Sequence, residues 1–483
     1  MIDLRNGNMN FMVHFFVVIV LSIAIALSIL YLSAKLITVL LFVPFIFIFW
    51  HTSSFISKIA ITVGVLTFPI TLRFLGRDAI TTGTLLIIFI FFWHWAIHKN
   101  RQEYSENTKY IFKIITILVL ISIVGMATKT PTGYYGPAIR HLLDFISSVL
   151  IFITIIKESD MLGTANSLEN YIEKIISILI LICSLHILLS LFLYYSPNYQ
   201  YIFKIFFHRT QTHLGTHISK TGGFERAASV FVGGEELGEL LIVLSPFFFY
   251  KAFKNNKFIL LLPILFIGLI ISGTRSAAIL VIIELVAFFI MTRSEKMLVK
   301  KIVIVAVGLF FLTIGWDFIS SILGILLNRF QESAAELNRN AAFATIMNRG
   351  PIWNAAWDTT WRTLSFIGHG PSQASALGMN RIKANFHCLY LTLIFQFGII
   401  GFFIFMRFFY YLLKNLLSNL YQTQKNNAVY PLILANTLSL SSFLINEGKF
   451  EFNRGDSYQQ FIFVVFAIYF MTGQITEKKN ITR

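Results

Sequence analysis

Residues 258–292 read FILLLPILFIGLIISGTRSAAILVIIELVAFFIMT. Two apolar runs, 258–272 and 276–292, are separated by a short turn at 272–275 (SGTR), and the only acid in either run is Glu284. Backbone polar groups in lipid must be hydrogen-bonded within the segment, and runs this long and continuous suit helices better than barrel strands. The stretch therefore predicts two membrane helices joined by a tight turn.

The rest of the chain repeats this pattern. Of its 483 residues 56% are hydrophobic and 13% charged, against about 45–50% and about 25% in soluble domains, and the mean hydropathy is +0.72. Apolar runs lie at 11–32, 36–52, 56–75, 79–97, 110–128, 138–156, 171–195, 236–253, 258–272, 276–292, 302–327, 386–413, 430–446 and 459–474. At about 20 residues per crossing, the sequence predicts an all-α integral membrane protein, a polytopic bundle of about 12–14 transmembrane helices.

Two long connections divide this bundle. We expect N-terminal transmembrane helices over 1–195, an extracytoplasmic loop over 196–235, and transmembrane helices over 236–327 with an outer turn at 272–276. A second long extracytoplasmic loop is predicted over 328–385, and C-terminal transmembrane helices over 386–483. Long loops in a compact fold are usually functional, so these two are the natural places to look for a site.

The basic residues give an orientation. Lys and Arg number 39 against 23 Asp and Glu, a formal charge of +16, which in a membrane protein indicates topology rather than a nucleic-acid partner. Basic clusters at 251–257, 293–301 and 478–479 are all placed in the cytoplasm by the positive-inside rule. Both termini are then inside, and both long loops are outside.

The predicted outer face is nevertheless rich in arginine. Its members are Arg209, Arg226, Arg275, Arg329, Arg339, Arg349, Arg362, Arg381 and Arg454. The planar guanidinium group binds phosphate and carboxylate oxygens bidentately, so the set predicts an anionic ligand at the outer membrane surface. The alternative for each arginine is pairing with a nearby acid or with lipid head groups.

Three of the outer residues form a candidate catalytic set. Arg226 and Arg275 are suited to hold a diphosphate and to stabilise the charge that develops on it as it leaves. His387, at the outer start of the run 386–413, can accept a proton from a hydroxyl group. Taken singly, Arg275 can also snorkel to the head groups, and His387 can serve as a helix cap.

A metal centre is not expected. The histidines at 208, 213 and 217 have no carboxylate or cysteine close by in the sequence, which favours a solvated loop. His369 stands in a Gly-His-Gly turn, where a role in shaping the backbone is expected. Cys183 and Cys388 lie too far apart in the sequence to suggest a cysteine cluster.

Four stretches together resemble the bacterial O-antigen ligase and O-antigen polymerase superfamily of membrane glycosyltransferases. They are ERAASVF at 225–231, SGTRSA at 272–277, NRGPIW at 348–353 leading to IGHGP at 367–371, and His387-Cys388 followed after nine residues by GIIG at 398–401. Order and spacing agree with the family over roughly 224–402. The two glycines of the last motif predict a close approach of the helix to a neighbour.

The resemblance implies a glycosyltransferase of the GT-C type in the bacterial inner membrane, with its active site facing the periplasm. The reaction it implies moves a glycan from undecaprenyl diphosphate to a sugar hydroxyl of the lipid A core, without a metal or other cofactor. His387 would be the general base, and Arg226 and Arg275 would bind the diphosphate. Arg349 would be a secondary contact to substrate or a strut of the loop.

Two departures and two other classes of function stay open. Cys388 stands where the family usually has Asn, Ser or Gln, and 232–236 (VGGEE) replaces an Asn-Pro-Asn-like element. Either change could distinguish the ligase from a polymerase, which uses the same donor and a second lipid-linked repeat unit as acceptor. A flippase or transporter of lipid-linked glycans would place basic residues inside the spans instead. A purely structural membrane protein is the remaining alternative.

Overall fold

A computed structural model describes residues 54–67, 71–75, 78–97, 104–195, 234–272, 274–292, 354, 357–358, 366–372, 377–378, 386, 388–425, 427–448 and 456–481. The α-helices within these ranges are α1 (Phe55–Thr67), α2 (Thr82–Ile97), α3 (Glu106–Lys129), α4 (Tyr135–Asp160), α5 (Ala165–Tyr195), α6 (Gly234–Lys254), α7 (Leu262–Ser272), α8 (Arg275–Met291), α9 (Leu389–Gln422), α10 (Tyr430–Asn446) and α11 (Asp456–Ile481). A 3-10 helix, Asn256–Leu261, joins α6 to α7.

The fold class is confirmed as an all-α polytopic membrane protein. Among the described helices, α3, α4, α5, α9 and α11 are long and apolar enough to cross a membrane, as judged by length and composition. The predicted runs 110–128, 138–156, 171–195, 386–413 and 459–474 correspond to these five helices. The runs 11–32, 36–52 and 302–327 lie outside the described residues. The division of the chain into loops and helical blocks stays a prediction, because much of both long connections lies outside the described ranges.

The predicted continuous run at 56–75 does not form one helix. Helix α1 ends at Thr67, and the strands β1 (Thr71–Leu75) and β2 (Asp78–Thr81) form an antiparallel hairpin. The sequence supplies two reasons: Pro69 cannot donate the backbone hydrogen bond that a continuing helix needs, and Gly76, one of the two residues between the strands in the sequence, is a residue type that favours turns. Hydropathy alone cannot detect such an interruption.

Helix α11 is the centre of the bundle, since its stretch Ser457–Ile475 is buried throughout. It packs on α4, α5, α9 and α10. Aromatic rings make much of this contact: the Phe466 ring centroid lies 5.8 Å from that of Phe408 on α9 and 5.4 Å from that of Phe443 on α10. Such pairs contribute about 0.5–1.5 kcal/mol each beyond their burial.

Polar side chains tie the same helix to the N-terminal part of the bundle. The amide of Gln460 on α11 donates to the Thr84 hydroxyl at 2.8 Å, and Thr84 donates to Asp144 Oδ1 at 3.1 Å. Gln460 also donates to the Ser147 hydroxyl on α4. Interhelical hydrogen bonds of this kind stabilise membrane bundles and fix the register of their helices.

Helix α9 is interrupted at Gly398, where φ is +69° and ψ is −176°. The segment 366–372 lies against the interruption and replaces the hydrogen bonds that the helix loses there. His369 N–H donates to the Phe395 carbonyl at 3.0 Å and Gly370 N–H donates to that of Gln396 at 2.9 Å. In return, the N–H of Ile400 donates to the Phe366 carbonyl at 3.3 Å.

Glycine is required at this junction for steric reasons. A Cβ atom added to Gly368 would lie 2.3 Å from the Gln396 backbone, and one added to Gly398 would lie 2.4 Å from the Phe366 carbonyl oxygen. On the opposite side of the segment, a Cβ on Gly125 of α3 would lie 2.4 Å from the Gly368 oxygen. The segment is therefore clamped between α3 and α9 by backbone contacts.

Replacing Gly368 by alanine should destabilise the protein markedly, because the added methyl group meets backbone atoms that cannot rotate away. We expect the free energy of unfolding to fall by more than about 2 kcal/mol, toward the upper end of what overpacking costs. The measurement is the temperature at which detergent-solubilised protein aggregates, which should be lower than in the unchanged protein. Gly163→Ala is the matched control, since a Cβ at Gly163 meets nothing within 4 Å. Equal stability of the two variants would contradict the clamp.

Candidate functional site

For the predicted site, the structure describes mainly the chain neighbours of the residues concerned. Arg226, Arg349 and His387 lie outside the described residues, and of Arg275 the structure describes the backbone, as the first residue of α8. The roles of these four residues stay predictions. Thr274, Phe386 and Cys388 are their immediate chain neighbours and show where the surrounding helices meet.

The beginning of α8 lies against α6. A Cβ atom on Gly238 of α6 would lie 2.5 Å from Thr274 Oγ1, so the two helices touch at the residue that precedes Arg275. Helix α6 itself begins at Gly234, eight residues after Arg226. The segments that carry the two predicted diphosphate ligands therefore lead to adjacent helix ends.

The beginning of α9 is held by the last turn of α10. Leu389 N–H donates to the Glu447 carbonyl at 3.0 Å, and the Tyr390 hydroxyl donates to the Leu444 carbonyl at 2.8 Å. A helix leaves its first N–H groups and its last carbonyls without intrahelical partners, so the two helix ends complement each other here. This contact fixes the helix start two residues after His387.

Two buried carboxylates lie beside these contacts. Glu239 on α6 and Glu447 after α10 are 1% and 0% exposed, and Tyr458 on α11 is 3% exposed. The Tyr458 side chain lies close enough to Glu239, Glu447 and Glu236 to interact with them electrostatically. Tyr390 interacts in the same way with Glu447 and Cys388. The cluster thus joins α6, α9, α10 and α11 at one end of the bundle.

Sequence reasoning missed Glu239 and Glu447. Glu239 interrupts an apolar run, and an ionisable residue within a membrane segment is a functional hypothesis by default. The sequence alone could therefore have identified Glu239 as a candidate. Glu447 follows the predicted run 430–446 and resembles an ordinary residue of a helix end. Its burial becomes visible once α9, α10 and α11 are seen together.

His369 has a structural place in this arrangement. It is buried, its ring stacks on that of Phe395 with centroids 4.4 Å apart, and its Nδ1 lies 3.3 Å from the Phe395 carbonyl oxygen. Burial lowers the pKa of His369, the nearby Lys129 lowers it further, and the hydrogen bond to Phe395 opposes both. The ring stacking and the contact with the Phe395 carbonyl hold the imidazole against α9, so His369 organises the loop.

The described residues contain no group of three or more His, Cys, Asp and Glu side chains arranged to hold a metal ion. The histidines at 208, 213 and 217 lie outside those residues. Cys183 and Cys388 are both buried and do not form a disulfide.

Fold and site together define a multi-pass helical membrane protein with a polar cluster where several helices end. Residues 259–406 match the profile of the family described as O-antigen ligase, so this segment is similar to that family. The resemblance to the ligase and polymerase superfamily is thereby confirmed over under a third of the chain, from the 3-10 helix to the middle of α9. No curated protein matches the chain.

The hydroxyl of Tyr390 should measurably stabilise the start of α9. Removing it in Tyr390→Phe loses a hydrogen bond worth about 0.5–1.5 kcal/mol, while the Leu389 bond to Glu447 remains. We expect maleimide labelling of the buried Cys388 to become roughly 2- to 12-fold faster, measured in a Cys183→Ser background. Tyr421→Phe, at a 94% exposed position of the same helix, is the control. An unchanged rate in Tyr390→Phe would contradict the predicted stabilisation.

Proposed function

We propose that the protein transfers a glycan from an undecaprenyl-diphosphate carrier to a sugar hydroxyl of the lipid A core, at the periplasmic face of the bacterial inner membrane. The observation that supports the proposal is the position of the matched segment: its helices α8 and α9 start beside α6 and α10, and in the sequence these starts adjoin Arg275 and His387. The family match supports a membrane glycosyltransferase, and the choice of donor and acceptor is our inference.

In the proposed reaction one bond forms at the anomeric carbon and one breaks. The acceptor hydroxyl oxygen attacks the anomeric carbon of the donor glycan, and the bond from that carbon to the diphosphate oxygen breaks. His387 takes the hydroxyl proton as a general base. The diphosphate leaves on its lipid carrier, and its developing charge is stabilised by the guanidinium groups of Arg226 and Arg275. In this proposal the arginines provide the positive charge, and no metal takes part.

The described contacts explain how such a site can be held in position. Transfer depends on the placement of the reacting groups, and misplacement by about 1 Å can cost about 100-fold in rate. The start of α9 is fixed by Glu447 and Leu444, and the start of α8 by Gly238. The segments bearing the predicted base and one diphosphate ligand are therefore attached to helix ends that contact neighbouring helices.

The polymerase is the nearest alternative, because it shares the donor and differs in the acceptor. Cys388 is the residue on which this choice bears: it caps α9 in an extended conformation, and its side chain makes no capping hydrogen bond. The position where the family usually has Asn, Ser or Gln thus holds a thiol that does not cap the helix, and the polymerase is therefore kept in the test below.

Loss of the proposed base or of the bidentate guanidinium group should slow transfer strongly in a protein that still folds. We expect His387→Ala to lose at least about 100-fold in rate. Arg275→Lys should lose at least about tenfold, since a point charge cannot replace bidentate binding. The measurement is glycan transfer by purified protein from a lipid-linked donor.

Arg407→Lys is the matched control for these variants. Arg407 lies on α9, and its Nε donates to the Tyr110 hydroxyl away from the cluster; its rate should stay near that of the unchanged protein. Near-normal transfer by both His387→Ala and Arg275→Lys would eliminate the proposed site.

A strain without the gene distinguishes the ligase from its alternatives. We expect long glycans to accumulate on the undecaprenyl carrier, with none on the lipid A core, when both fractions are separated on a gel. A single repeat unit on the core without a longer ladder would establish the polymerase instead. Unchanged surface glycan would contradict both enzymes and favour the transporter or structural alternatives.

A further inference from the structure

A second polar site lies at the other end of α6, where this helix meets α5 and the 3-10 helix. A cavity of about 580 Å³ opens there to the surface. Its polar lining consists of Lys251, Lys254, Lys257, Asn255, Asn256 and Glu173. We propose that this cavity binds the phosphodiester head group of an anionic glycerophospholipid.

The charges of the cavity suit an anion with one negative charge. Lys254 forms ion pairs with Glu173 and with Glu169, the latter at 3.5 Å, and Lys251 Nζ lies 3.4 Å from Glu173 Oε2. Two carboxylates thus meet two ammonium groups. Lys257 is exposed and makes no ion pair with a carboxylate in the described part of the chain, so one positive charge remains.

The backbone of the 3-10 helix holds the free lysine in place. The Asn255 side chain caps this helix by accepting the Lys257 N–H at 3.0 Å. Asn256, the residue between them, is exposed at the rim of the cavity and can add an amide donor for a phosphate oxygen. The arrangement offers a cation and a neutral donor from adjacent residues, which suits a phosphate ester.

Apolar groups next to the cavity favour a lipid over free phosphate. Phe258 forms part of the wall, with its ring 5.6 Å from Lys251 Nζ, and Leu260 two residues further on is 76% exposed. An exposed leucine at a membrane edge contacts acyl chains, so head-group and chain contacts lie side by side. Basic pockets between helices at the predicted cytoplasmic edge, where 251–257 falls, are typical binding sites of anionic lipids.

Native mass spectrometry of the full-length protein tests this proposal. The protein is titrated in detergent with phosphatidylglycerol or with phosphatidylcholine, and the bound fraction is compared. We expect preferential binding of phosphatidylglycerol and an approximately fivefold weaker affinity in Lys257→Gln, since one basic residue at a lipid surface contributes about that much. Asn256→Ala should weaken binding in the same direction without changing charge.

Lys425→Gln is the control, because it removes the same charge from another exposed loop of the same predicted face. Equal binding of the two lipids, or equal affinity in Lys257→Gln and Lys425→Gln, would overturn the proposal. Thermal stabilisation by inorganic phosphate that matches stabilisation by phosphatidylglycerol would mean a free-phosphate site instead. Glycan transfer does not enter this readout, so the proposal stands or fails separately from the enzymatic one.

Discussion

The fold depends on satisfying the backbone where α9 is interrupted. In lipid an unpaired carbonyl or N–H costs several kcal/mol, so a helix can break there only if another part of the protein supplies the missing partners. The segment 366–372 does this for Phe395, Gln396 and Ile400. The end of a connection predicted to be extracytoplasmic is thereby inserted between α3 and α9.

This insertion also relates two parts of the matched domain. Gln396 lies eight positions after Cys388, roughly 12 Å along a helix, so the inserted segment lies about that far from the start of α9. The loop that precedes His387 is consequently anchored at both ends: one end pairs with the interrupted helix, and the other leads into the turn held by α10.

The sequence predicted the helices well and their contacts less well. The apolar run 430–446 coincides with α10 because burial on several sides leaves a continuous hydropathy signal. The glycines of the motif at 398–401 indicated a close approach, but the partner at Gly398 is the backbone of an irregular loop rather than another helix. Which carboxylates are buried at the helix ends depends on how α6, α9, α10 and α11 assemble, and no local pattern carries that information.

The acid at Glu284 has a structural explanation in the interior of the bundle. Two polar groups of α6 near Pro246 bond to other helices: Ser245 donates its hydroxyl to Glu284 on α8, and the Val243 carbonyl accepts from Ser439 on α10. These bonds join α6, α8 and α10 midway along α6.

The two ends of α6 are both polar. Gly238 and Glu239 lie at the end beside the predicted glycan site, and Lys251 and Lys254 lie at the end that lines the cavity proposed to bind a lipid. A helix fixed in this way can hold both ends in register with its neighbours, which accounts for a buried carboxyl group without assigning it any chemistry.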